Sequence, residues 1–391
     1  MARPFRRTGV LHISLWALAC LIFFSTALSA RAQNQPALPA AEQLQRVLET
    51  LRTDLQLPSL RAAIRNTHGT VEAASGLADA ENGLSLDTSI GMPGGSTGKS
   101  FVAATTMLLV EYEVLDLDDP ISLYVAEQRW FKALPGANRI TVRHLLSHTS
   151  GMTDHVADID FALSVLWRRI TGGLMRYQPA ELIDMVVDDG LLFEPGTGYN
   201  YTDSGYLALG QVIESAMSLR YYEMLDELIL EPHQLAARPQ ISAHMEDVSV
   251  GYVDGSLLMN IAGWSGRNME DGIMVPDPST EWTGGGLVTT PAILAAFYHK
   301  LANGEIVSPD SYRLMTQAGH KDPQRPWHYG LGLFVSESSI GHGGWFPGYR
   351  TDARHFPKEN LTIAVQTNTD TEFPMSQITK ALYDLVMEVN P

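Results

Sequence analysis

Apolar residues recur at helical spacing over residues 40–55, at Ala41, Leu44, Val47, Leu48 and Leu51, and predict an amphipathic opening helix. Leu60 to Ile64 and Val71 to Ala74 are short apolar runs on either side of Asn66-Thr67-His68-Gly69, the pattern of a β-hairpin. From Phe101 to Leu115 the chain is apolar almost all round, so this helix is expected in the interior. A helix-rich stretch follows from about Ile121 to Met224, broken at Pro135-Gly136, Gly172-Gly173 and Pro195-Gly196. Residues 238–283 are irregular, rich in Gly, Pro, Asn and Asp, and too long for an idle connection. Thr290-Pro291 opens another helix with proline in its first position. The β pattern returns at Leu331–Val335 and Leu361–Gln366, and a closing helix runs from Gln377 to Val389. Strands at both chain ends around a helical middle predict an α+β fold. The expected division is an α/β unit from residues 33–125 and 284–391, and a mainly helical unit over 126–283.

The amino terminus stands apart from this pattern. Arg3, Arg6 and Arg7 precede an uninterrupted apolar run from Leu15 to Phe24, too short for a membrane-spanning helix. Ala30-Arg31-Ala32 follows and fits a signal-peptidase site, so residues 1–32 read as a secretory signal and the chain as a periplasmic or secreted one. An uncleaved anchor is the alternative, and only then would a membrane be a partner. The full chain of 391 residues has 27 basic and 44 acidic residues, a net charge of −17. Without the signal it has 23 basic residues and a net charge of −21. Such acidity gives no general attraction for nucleic acid. The single cysteine, Cys20, excludes an internal disulfide and a Cys-rich zinc module.

Three segments could carry chemistry. In Gly94-Gly95-Ser96-Thr97-Gly98-Lys99, a turn of small residues delivers Ser96 to the start of the buried helix, where free N–H groups favour an oxyanion. Lys99 lies one turn on, within reach of the hydroxyl. A desolvated lysine can activate a serine, and burial beside the apolar helix is the expected push. Gly98-Lys99-Ser100 also copies the end of a phosphate-binding loop, but Pro93 stands where its first glycine belongs. The second segment is Gly198 to Tyr206, where Tyr201 could relay a proton to Ser96 if cations lower its pKa. The third is Gly341 to Arg350, with glycines that let a ligand approach the backbone and His342 as a polar or cationic edge. His144 to Asp154 nearly reproduces a zinc-protease helix, with Leu145 where the glutamate base must be. No cofactor or metal is expected.

Taken in order, these segments resemble the serine β-lactamase and penicillin-binding superfamily, in particular the class C β-lactamases with their esterase and D-peptidase relatives. Ser96-Thr97-Gly98-Lys99 is similar to S-x-x-K, Tyr201-Thr202-Asp203 to Y-x-N, and His342-Gly343-Gly344 to the K-T-G element, which is H-x-G in many relatives. Leu117 to Pro120 and Ile140 to Gly151 also look like family segments. The resemblance runs from about residue 40 to the end. It implies an antiparallel sheet flanked by helices and built from both chain ends, with an all-helical insertion and the active site between them. It implies Ser96 as the acylated nucleophile, Lys99 and Tyr201 sharing the proton transfers, and the N–H groups of Ser96 and Trp345 as the oxyanion hole. Asp203, His342, Gly343 and Gly344 would contact substrate, with His342 where relatives keep a cation, near a substrate carboxylate or the Tyr201 oxygen. The substrate would be a small ester, amide, short D-peptide or β-lactam.

Asp203 departs from that pattern, because asparagine is usual there and its amide can donate to an acyl-amide carbonyl. Ionised aspartate only accepts. Beside Lys99 it would favour the ammonium, shift proton transfer towards Tyr201, and lower β-lactam turnover relative to esters or D-peptides. The alternative function is a non-catalytic module of the same fold that recognises penicillin or peptides. Substitution of Ser96 or Lys99 would favour it, and both residues are present.

Overall fold

The computed structural model describes residues 35–171, 176–255, 260, 266–275 and 277–390. The signal reading of residues 1–32 and the break at Gly172-Gly173 lie outside them. Among the described residues no helix is long and apolar enough to cross a membrane.

The main sheet has eight strands, all neighbours antiparallel. In chain order they are β1 (Ser59–Asn66), β2 (Gly69–Asp79), β3 (Leu84–Ser85), β4 (Trp327–Tyr329), β5 (Phe334–Ser336), β6 (Ile340–Phe346), β7 (Tyr349–Phe356) and β8 (Leu361–Thr367). Their spatial order is β4-β5-β6-β7-β8-β1-β2-β3, so the first strand of the chain pairs with the last. Ala62 opposes Val365 and Ile64 opposes Ile363 across that seam.

Alternation along β1 and β8 sends side chains to opposite faces, both of them covered, which is why both strands are buried almost throughout. Leu60, Ala62, Ile64, Leu361, Ile363 and Val365 pack under helices α1 (Ala41–Asp54) and α5 (Met375–Glu388). Ala63, Ala353 and Ala364 face the larger core on the other side. That core is entered by α4 (Pro291–Ala302), which Thr290 caps by accepting from the Ile293 N–H. It also holds α2 (Gly98–Glu111) and α3 (Asp203–Met217).

Helix α2 is buried from Gly98 through Leu109, as its all-round apolarity predicts. Its polar side chains are satisfied internally: Ser100 donates to the Gly332 carbonyl at 2.7 Å, and Thr105 and Thr106 donate to carbonyls one turn back. The helix stops at Glu111 rather than at the end of the apolar run, because Glu113 turns the chain through a left-handed conformation (φ 58°). The segment before it, Met92–Pro93, joins Leu287–Thr289 and Arg238–Pro239 in a three-stranded sheet. This small sheet fixes the approach to Ser96, and the Gly94 N–H donates to the Leu287 carbonyl at 2.8 Å.

Two sequence expectations change. Leu331–Val335 is not one strand: Leu331 to Leu333 forms a turn with Gly332 at φ 73°, and only Phe334–Ser336 pairs. The glycine is drawn out of the sheet because its N–H donates to Leu146 and its carbonyl accepts from Ser100. Strand β7 was not predicted, since Arg350, Asp352, Arg354 and His355 hide a sheet position whose Thr351, Asp352 and His355 are buried.

Candidate active site

Ser96 sits in a single 3-10 turn, Gly95–Thr97, that leads into α2. The turn is held by Thr97, whose hydroxyl donates to the Gly94 carbonyl at 2.9 Å. Gly95 adopts φ 54° and presses on strand β6: a Cβ there would lie 2.5 Å from the Trp345 carbonyl oxygen and 2.6 Å from its nitrogen. Only glycine permits this approach, and it sets the backbone of Ser96 beside that of Trp345.

Lys99 is fully buried, and its Nζ has three acceptors: Ser96 Oγ at 3.0 Å, the Gly284 carbonyl, and the carboxylate of Asp203. These match the three N–H bonds of an ammonium. Gly98 makes the arrangement possible, because any Cβ there would collide with the Gly285 backbone and push the Gly284 carbonyl away. Asp203 is the first residue of α3, whose N-cap Thr202 accepts from Gly205 at 3.3 Å and donates to the Thr153 carbonyl at 2.8 Å. The structure therefore brings Ser96, Lys99, Tyr201 and Asp203 together from two helix starts.

The Tyr201 ring lies under Lys99, with Nζ 4.9 Å from its centroid, and against His148 at 4.1 Å. Its hydroxyl is buried without a hydrogen bond of ordinary geometry, although Ser96 is beside it and would stabilise its anion. The expected lowering of the Tyr201 pKa does not occur. Burial, followed by the negative charge of Asp203, pushes it well above the ordinary tyrosine value.

His342 also differs from expectation. It is almost wholly buried, its Nε2 meets the Tyr329 hydroxyl at 2.9 Å and its Nδ1 meets the Gly343 carbonyl at 2.5 Å. A carbonyl can only accept, so Nδ1 carries the proton and Nε2 accepts from the phenol. Burial drives its pKa down to about 3, which makes it a neutral support rather than a cationic edge. Its neighbours Gly343 and Gly344 are half-buried in β6, and Gly344 approaches the Gly94 carbonyl too closely for a side chain.

A cavity of about 270 Å³ opens at Ser96, with Tyr201, Asp203 and Trp345 in its wall. Sequence reasoning missed three of its polar residues. Asp154 accepts from the N–H of Asp203 at 3.1 Å and of Val156 at 3.3 Å. Burial, then Asp203, raises its pKa to about 7. Glu281 is raised to about 8 for the same two reasons; its Oε2 is shielded without a hydrogen bond of ordinary geometry, although the Gln240 side chain is beside it and opposes the rise. His155 is lowered to about 4 by burial, with Nδ1 3.0 Å from Ser204 Oγ. The only sequence signals were the acid in the near-zinc motif and the irregular 238–283 segment, which ends on Thr280 and Glu281 in the cavity wall.

The two histidines of that motif serve different neighbours. His144 Nδ1 accepts from the Thr141 N–H at 3.2 Å, while His148 Nδ1 accepts from the Thr202 N–H at 3.2 Å. Among the described residues no three His, Cys, Asp or Glu side chains are grouped to hold a metal ion.

Comparison with known proteins gives the family of the chain. Residues 44–387 match the family model described as Beta-lactamase. The chain is 31% identical over 221 residues to Esterase EstB of Burkholderia gladioli, covering 55% of this chain and 54% of the esterase. It is 23% identical over 297 residues to Penicillin-binding protein 4* of Bacillus subtilis (strain 168), covering 71% of this chain and 61% of that protein. The chain thus spans little more than half the length of these two relatives. A D-stereospecific amidohydrolase from Streptomyces sp. superposes with a TM-score of 0.75 at 23% identity, over 88% of this chain and 99% of that structure, a likeness of fold. A match over nearly the whole described chain, carried by a mixed sheet and helix fold with S-x-x-K at the head of its buried helix, establishes that the chain belongs to the beta-lactamase family.

Proposed function

We propose that this protein is a secreted serine hydrolase that forms an acyl-enzyme on Ser96. The observation that carries the reading is the 3.0 Å hydrogen bond between Lys99 Nζ and Ser96 Oγ at the edge of the cavity. Attack requires the Ser96 proton to leave as Oγ bonds to the substrate carbonyl carbon. Tyr201, its pKa raised, holds its own proton and is a poor acceptor. The proton goes instead to Lys99 once its ammonium has given up the N–H now donated to Ser96, so that the Nζ lone pair faces Oγ, and Asp203 balances the ammonium that results. This reverses the share expected for Tyr201. Its unpartnered hydroxyl is then the donor available to the leaving group, with Lys99 beside it to restore the proton.

The N–H groups of Ser96 and Trp345 form the oxyanion hole in this reading, supported by the close approach of Gly95 to Trp345. Such a donor typically contributes ~2.7–4 kcal/mol to transition-state stabilisation. Gly343 and Gly344 supply the open backbone beside it. Asp203 in place of asparagine argues for esters and short D-peptides over β-lactams, since a carboxylate paired with Lys99 has no N–H to offer an acyl amide. The names of an esterase and a D-stereospecific amidohydrolase among its relatives are in keeping with that preference. Residues 1–32 act as the export signal in this proposal.

Labelling with a fluorophosphonate or penicillin probe tests the assignment, with Ser96→Ala as control, followed by turnover of activated esters, D-alanyl peptides and cephalosporins. Ser96-dependent labelling and ester turnover are expected. Rapid cephalosporin hydrolysis without ester turnover would overturn the role given to Asp203.

A further inference from the structure

The two backbone N–H groups on either side of Tyr201 end on one residue. Asn200 donates to the His148 carbonyl at 3.0 Å, and Thr202 donates to His148 Nδ1 at 3.2 Å. Between these anchors the Tyr201 ring packs on the His148 imidazole, with centroids 4.1 Å apart. The Tyr201 hydroxyl has no hydrogen bond of ordinary geometry, so the ring is held from its backbone and its face rather than from its tip. The imidazole is in turn walled in by Tyr329 at 4.5 Å and Tyr206 at 4.9 Å, and His148 is fully buried.

An N–H can only donate, so Nδ1 is an acceptor and the proton of the neutral imidazole is on Nε2. Burial, followed by the charge of Lys99, holds the ring neutral. Nε2 is itself buried without a partner, so the one hydrogen bond of the ring is the one from Thr202. An apolar ring would fill the same space without an orphaned N–H, and what histidine adds here is the acceptor at Nδ1. The backbone is bent to the same end. His148 adopts φ 55°, a left-handed conformation that few side chains other than Asn, Asp and His take readily. With that reversal the carbonyl and the ring of one residue both reach Asn200 to Thr202. Strain of this kind persists where surrounding contacts fix it, and it gathers at functional sites.

We propose that His148, as the neutral Nε2–H imidazole, is the positioning residue for Tyr201 and holds the phenol where its proton reaches the leaving group. The inference rests on the hydrolase reading and deepens it. His148 is not in the cavity wall, so it acts through Tyr201 and not on substrate. As the ester carbon–oxygen bond breaks, its electron pair leaves on the alcohol oxygen, which takes the Tyr201 proton; Lys99 then returns a proton to the phenolate. Only a leaving group that needs this proton feels a displaced phenol.

The test compares the ethyl and p-nitrophenyl esters of one acyl group on the full chain. Nitrophenolate is stable in water and departs without a proton, whereas ethoxide must take one. His148→Ala removes both the ring and the acceptor, and should lower kcat/KM for the ethyl ester at least about tenfold more than for the p-nitrophenyl ester. His148→Asn tolerates the left-handed backbone and offers Oδ1 to Thr202, so it should restore most of that ratio. Equal losses on the two esters, or an asparagine variant no better than alanine, overturn the proposal. Where the alanine variant fails to fold, the parent decides: nitrogen NMR of His148 should show a bare Nδ1 and a protonated Nε2 from pH ~5 to ~8. A proton on Nδ1 within that range overturns the proposal. Parent turnover that persists in Ser96→Ala sinks the hydrolase reading, whereas equal losses with turnover dependent on Ser96 sink only the role of His148.

Discussion

Replacing Glu281 with glutamine keeps the shape of the side chain and removes its ability to ionise, so the change isolates the electrostatic cost of one shielded carboxyl. In the folded protein that carboxyl is raised to about 8, first by burial and then by Asp203, with Lys99 opposing. In the unfolded chain it returns to ~4.3. A raised carboxyl pKa means that the folded state holds the proton more tightly, so stability is complete below the unfolded value and is lost as pH rises through about 8. Linkage over that interval gives a penalty of about 1 kcal/mol at pH ~5 and about 4 kcal/mol at pH ~7.5. Glu281→Gln should therefore gain about 3 kcal/mol over the parent between those two pH values. Urea unfolding of both proteins at each pH measures the difference directly, and the other titrating groups largely cancel. A stability difference that does not change with pH would refute the burial argument, and one that shrinks towards alkaline pH would reverse its sign.

His342, driven to about 3 by burial, should keep a flat imidazole NMR shift from pH ~8 to ~5, and an inflection between 6 and 7 would restore it as a cation. Gly95→Ala places a Cβ 2.5 Å from the Trp345 carbonyl at a residue with φ 54° and should part the two backbones. A fall of ~100-fold or more in ester kcat/KM is expected, the loss of one oxyanion donor, and a near-parental rate would refute the role of that contact. Arg61→Met leaves the Ile90 and Thr289 carbonyls and Gln366 Oε1 without their buried donor. It should cost about 3 kcal/mol in urea unfolding, and a loss under about 1 kcal/mol would show that the cluster relaxes.

The parts of the fold legible in the sequence were those where local pattern and final burial agree. Helices α1, α2, α4 and α5 and strands β1 and β8 fall where periodicity and Thr290-Pro291 place them, within a few residues. Strand β7 was hidden because its buried positions are polar: Asp352 accepts from Thr379 and Arg354, and His355 meets Thr362, bonds that only tertiary structure supplies. The site divides in the same way. Ser96 and Lys99 were legible because three residues, through the 3-10 turn and into the first turn of α2, bring them together on local geometry alone. Glu281 and Asp154 were not: Glu281 nears Asp203 only after the 238–283 segment folds back, and Asp154 only when its own loop packs against the start of α3. The misjudged charge states have one cause. Sequence shows which charged neighbours exist, but burial dominates the pKa of both Tyr201 and His342, and burial is a property of the packed chain.

The most direct test of the account is to place the covalent bond it requires. The protein is quenched in acid during turnover of an activated ester, digested, and the peptide containing Gly94 to Lys99 is examined by mass spectrometry. The account predicts an acyl group on the Ser96 oxygen that disappears as substrate is exhausted, and none in Ser96→Ala. Ester turnover with the acyl group on another residue, or turnover that survives Ser96→Ala undiminished, would contradict it.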